Sequence, residues 1–198
     1  MSPRLLGRML AAAAVIPLAI ATTAPPASAA TSGWRVTQTV AGSFALDSVA
    51  ATSAGNAWVT GESCGNPCGP TSLLAAHWAG TGWQAIAPPS GFSTSVGSTV
   101  TAASSPSSAW VFANQGSNVD TTIALRWNGT AWTGRHDFPA WSDMNAAVVI
   151  GKADAWAFGQ IISPFAPYVA HYNGTIGESL PHPNPSGTSQ GVILKYGP

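Results

Sequence analysis

Glu62, Asp120 and Asp143 offer carboxyl groups in a chain where charged residues make up only 7% of the sequence. Two such groups held about 5 to 9.5 Å apart would form the acid and base of a glycoside hydrolase. Carboxylates beside an aromatic ring do gentler chemistry: the ring stacks on a sugar face while the oxygens accept hydrogen bonds from its hydroxyls. Trp141, Asp143, Asp120, Phe165 and Phe92 are the candidate ligand-binding residues on this reasoning. Trp141 stands out because eight of the nine tryptophans, Trp34 included, fall at repeated positions and Trp141 does not. The alternative is that Trp141 covers the bottom of its own loop.

Other reactive side chains point elsewhere. His77 and His171 share one repeat position with Arg126, which marks a structural polar slot rather than a metal pair, so no metal site is expected. His136-Asp137 beside Arg135 lacks a Gly-x-Ser-x-Gly elbow or other nucleophile signature, which argues against a hydrolase triad. Cys64 and Cys68 are the two cysteines, and in an exported chain their default reading is a disulfide closing a short loop.

Export is expected from residues 1–29. Arg4 and Arg8 form a positive n-region, Leu10 to Ile20 an apolar core, and Ala27-Ser28-Ala29 a small-residue cleavage site, giving a secreted, extracellular protein. The apolar run is interrupted by Pro17 and falls short of the roughly 20 residues that span a bilayer, so no membrane span is expected. The mature chain, 30–198, keeps five basic residues against seven acidic ones and has no basic cluster. Nucleic acid is therefore not an expected partner. Charge well below the roughly 25% of average domains, replaced by Ser, Thr, Gly and Asn, suits an extracellular β protein.

The elements that must position these residues are set by a repeat. Trp58, Trp110 and Trp156 each sit in a Ser/Asp/Asn-Ala-Trp block, 52 and 46 residues apart, close to the period of propeller blades. Each block is followed by a second signature: His77-Trp78-Ala-Gly-Thr-Gly-Trp83, Arg126-Trp127-Asn-Gly-Thr-Ala-Trp132 and His171-Tyr172-Asn-Gly-Thr-Ile-Gly177. Local chemistry divides each repeat into strands a to d. Strand a is a small apolar run (46–51, 99–103, 144–150), b holds the Ala-Trp block, c ends at Trp78, Trp127 or Tyr172, and d starts at Trp83, Trp132 or Ile176. Asn128-Gly129 and Asn173-Gly174 signal a tight c–d turn.

This pattern resembles the secreted Ala-Trp repeat β-propeller proteins of high-GC Gram-positive bacteria, which are loosely kelch-like, over about residues 33–180. The resemblance implies an all-β propeller of four-stranded antiparallel blades, and says little of activity, since propellers host many functions. Three full repeats are present, at about 45–90, 97–140 and 143–181, with strand 33–40 and tail 186–198 as a partial fourth blade. A homo-oligomer is one expected way to cover the open sheet edges this leaves.

Loop lengths locate the face where recognition belongs. The a–b and c–d turns keep constant length, whereas all variation falls in the b–c and d–a connections, which leave an up-and-down blade on the same side. Variable loops on a rigid repeat carry recognition. The expected function is a secreted, non-catalytic recognition module for a glycan or an extracellular protein, needing no cofactor. The alternatives are a glycan-active enzyme using the loop carboxylates, and a truncated propeller remnant without independent function. Scarce ionisable groups favour binding over acid–base catalysis.

Overall fold

A computed structural model describes residues 36, 39, 43–64, 71–90, 92, 95–115 and 121–175. The expected signal segment, Cys68, Asp120, the third strand d from Ile176 and the tail 186–198 lie outside the described residues. Of the strand expected over 33–40, Val36 and Thr39 are described and neither is in a strand.

The described residues are all β and form three antiparallel sheets. The first sheet orders β1 (Ser43–Ser53), β2 (Asn56–Cys64), β3 (Ser72–Trp78) and β4 (Trp83–Ala85). The second orders β5 (Val96–Ser105), β6 (Ser108–Gln115), β7 (Thr121–Trp127) and β8 (Trp132–Ala140). The third contains β9 (Ser142–Gly151), β10 (Asp154–Ile161) and β11 (Ala166–Tyr172). Each sheet is an up-and-down meander, and strands a to d correspond to successive strands of one sheet. The repeat tryptophans fix its register: Ala50, Ala102 and Val148 face Trp58, Trp110 and Trp156 across the a–b ladders.

The c–d turns differ from a two-residue hairpin. Trp127 pairs with Trp132, and Asn128 N–H donates to the Ala131 carbonyl, closing a four-residue loop. Gly129 alone takes the positive φ, at 108°. Asn128 instead accepts through Oδ1 from the N–H groups of Thr130 and Ala131, both at 2.9 Å, the local side-chain capping that asparagine offers a turn.

Sheets pack in chain order, first on second and second on third. Trp58, fully buried, stacks on His77 with centroids 4.5 Å apart and meets Trp127 of the second sheet edge-on at 5.5 Å. Leu73 enters a cluster with Val96, Val111, Ala113, Ile123 and Leu125. Between the second and third sheets, Trp110, Phe112 and Ala124 share a cluster with Met144, Ala155, Ala157 and Ala170. Burial of this kind supplies the main drive for stacking, since no sheet has a core of its own.

Hydrogen bonds fix the stacking offset. Thr60 Oγ1 bonds Thr99 Oγ1 at 2.8 Å and also reaches Thr101 Oγ1. Asn114 makes a fuller link. Its Oδ1 accepts from Met144 N–H at 3.0 Å and from Thr122 Oγ1–H at 2.6 Å, and its Nδ2 donates to the Met144 carbonyl at 2.9 Å and to Ser98 Oγ at 3.0 Å. All four hydrogen-bonding positions of this buried amide are thereby used.

The disulfide expected between Cys64 and Cys68 is overturned, because the two cysteines show no disulfide distance. The physical reason lies in β2, which runs extended through Cys64 in register with Ser43, whereas a disulfide closing so short a loop needs the chain to turn back at once.

Candidate functional site

The two classes of connection separate to opposite edges of the sheets. At one edge the c–d turns lie against the a–b turns: Trp78 Nε1 donates to the Ala54 carbonyl at 3.0 Å, and a side chain at Gly129 would meet Ser107. At the other edge the d–a and b–c connections meet. Ser95 N–H donates to the Thr71 carbonyl, and Ile162 N–H donates to the Trp141 carbonyl at 2.7 Å. The loops that vary in length therefore share one edge, and the constant turns share the other.

Trp141 is the whole of the connection between β8 and β9. The loop expected to carry Trp141 is that single residue, because the strands on either side run up to it. Its φ of 67° lies in the left-handed region, which costs an L residue about 1–2 kcal/mol. The bend leaves Trp141 38% exposed at the loop edge. Phe165, in the turn between β10 and β11, is 71% exposed on that edge, and Ile162 is exposed beside it.

The other expected site residues divide. Asp143 lies in β9 opposite Gln160, two residues from Trp141, half-buried and already engaged in interactions. Phe92 is half-buried against the Leu73–Leu125 cluster between the first two sheets, a packing position rather than part of a platform with Trp141. Asp120 lies outside the described residues. Glu62 is in β2 of the first sheet and Asp143 in β9 of the third, so these two carboxylates stand in sheets that the second sheet separates.

The polar slot takes a definite form. His77 Nε2 lies 2.6 Å from Asn56 Oδ1, and Asn56 Nδ2 donates to Thr52 Oγ1, so Nε2 of His77 carries the proton. His171 Nε2 lies 2.9 Å from Asp154 Oδ1, and its ring stacks on Trp156 at 3.9 Å. Arg126 instead crosses to the third sheet, donating to Tyr172 Oη at 2.9 Å and to the Lys152 carbonyl at 2.7 Å. Burial lowers the pKa of His77 below its usual 6.5; His136 is also lowered by burial, against an opposing pull from Asp137. Arg135 and Asp137 form an exposed ion pair at 2.9 Å.

Two hollows were not foreseen. One, of about 30 Å³, lies between Trp110, Phe112, Phe138 and Tyr172 and is too small for an organic ligand. The other is a shallow open cleft along Ile86, Pro89, Trp127 and Trp132. Among the described residues no group of His, Cys, Asp and Glu could hold a metal ion, and no helix is long and apolar enough to cross a membrane. No family model, curated protein or solved structure matches the chain.

Proposed function

We propose that the chain is an exported recognition module whose loop edge binds a glycan or an extracellular protein, and that its sheets are blades of a propeller. One observation carries the binding reading. Trp141 is held with its ring exposed by a strained single-residue bend, on the edge that also presents Phe165. Strain at a bulky residue persists only where the surroundings impose it, and such positions concentrate at functional sites. The meander topology, the repeated Ala-Trp register and the segregation of loops to one edge support the propeller reading.

A glycan array probed with the purified protein tests the binding reading. Saccharide capture that Trp141→Ala and Phe165→Ala each weaken at least tenfold, with cooperative melting retained well above the assay temperature, supports it. Capture that neither variant alters moves the site away from this edge.

A further inference from the structure

Each sheet meets the next through the same positions of the repeat. The front of the first sheet offers Trp58, Thr60 and Leu73, and the back of the second receives them with Ala109, Val111 and Trp127. The front of the second offers Trp110, Phe112 and Ala102, and the back of the third receives them with Met144, Ala157 and Tyr172. Counting by the repeat, the front of the third sheet carries Phe158 where Phe112 stands and Val148 where Ala102 stands. The back of the first carries Leu46 where Met144 stands, Val49 where Thr101 stands and Trp78 where Tyr172 stands.

Met144, Phe112, Ala102 and Thr101 are all buried. Their counterparts at the two ends of the stack are exposed, Phe158 by 39%, Leu46 by 62% and Val49 by 70%. These two faces are complementary to each other, because they are the two halves of an interface the molecule already makes twice. We propose that the front of the third sheet docks on the back of the first sheet of a second copy of this chain, head to tail. Phe158 then enters beside Leu46 as Phe112 shares a cluster with Met144. His171, at the position of Arg126, comes to lie over Trp78 as Arg126 lies over Tyr172. Contacts of this heterologous kind either close a ring or continue as a chain of copies. The inference stands apart from the loop-edge reading, which concerns a different surface and a different readout.

Sedimentation velocity on the purified full-length chain, over a wide concentration range, tests it. The wild type is expected at twice the monomer mass or a higher multiple. Phe158→Asp and Leu46→Asp, each destroying one half of the interface, are expected to sediment as monomers. An equimolar mixture of the two is expected to restore a dimer, since each variant keeps the half that the other lacks. Should either variant lose its cooperative melt, Ile150→Lys and Val49→Lys at neighbouring exposed positions replace it. A monomeric wild type, an oligomer unaffected by both substitutions, or a mixture that stays monomeric would each overturn the proposal.

Discussion

Trp141 reverses the usual ranking of alanine and glycine. Glycine in extended structure is ordinarily the weaker by about 0.5–1 kcal/mol. Both substitutions at this position lose the same indole packing, but only glycine is free of the penalty at φ 67°. Trp141→Gly is therefore expected to be more stable than Trp141→Ala by about 1 kcal/mol in urea unfolding. Equal stabilities would show that the backbone relaxes once the ring is gone. His77 gives a pH dependence of definite sign. Its folded pKa lies below 6.5, so the unfolded chain binds the proton more readily. The stability it contributes is complete above about 6.5 and declines as the pH falls from there toward the folded value. His77→Gln should flatten that decline in denaturant titrations run between about pH 7 and 5; an unchanged slope would assign the effect to His136, whose shift has the same direction. At this scale the sequence revealed that a turn falls at Asn128-Gly129 and that His77, Arg126 and His171 share a slot. It did not reveal that Asn128 works as an acceptor, or that Arg126 alone reaches across to another sheet, because both depend on where neighbouring backbone groups fall.

The strands show why one position of the repeat is glycine twice and alanine once. An added Cβ at Gly61 would run into the Ala45 carbonyl oxygen, and one at Gly159 into that of Asp143. Ala113 occupies the same position in the second sheet without conflict. The ladder irregularity falls at Asp47 in the first sheet and Asn145 in the third, but at Gly97 in the second, which carries the partner strand away from Ala113. Gly159→Ala is accordingly expected to destabilise by about 3 kcal/mol, as overpacking against backbone does, whereas Ala113→Gly should cost about 1 kcal/mol. Comparable losses for the two would mean that the bulge in the third sheet shifts to match the second. Asn114→Leu strands the N–H and carbonyl of Met144 without partners and is expected to cost about 3 kcal/mol or more. The strands themselves were readable from the Trp blocks, but strand a runs past the expected 46–51, 99–103 and 144–150 to Ser43–Ser53, Val96–Ser105 and Ser142–Gly151. Bulge positions were not, since they shift by two residues with no change in the motif. The cysteine pair misled for a related reason: spacing suggested a closed loop, whereas continued pairing with β1 keeps Cys64 in an extended strand.

Stacked in chain order, the three sheets of the described residues form a one-dimensional array in which, among those residues, the middle member has two neighbours and the outer members one. Stability in such an array is a sum of unit and nearest-neighbour terms. Trp110→Ala, within the second interface, is expected to cost about 3–5 kcal/mol, and Trp156→Ala distinctly less, in guanidinium unfolding of the chain diluted until its copies separate. Equal costs would indicate that the outer face of the third sheet is as well covered as the interior. The period and the three described sheets followed from the tryptophan blocks and the second signature after each. Ring closure could not, because it depends on the rotation between successive sheets, which side-chain volumes and the offset set by Asn114 decide. The separation of constant turns from variable loops also has a practical side. Lys152 sits exposed in the β9–β10 turn, on the constant edge, and Lys195 is the chain's other lysine. In a Lys195→Arg variant with its α-amine blocked, amine coupling to a sensor surface would grip the molecule at Lys152 and leave the Trp141 edge facing the analyte, so that the fold itself orients the probe.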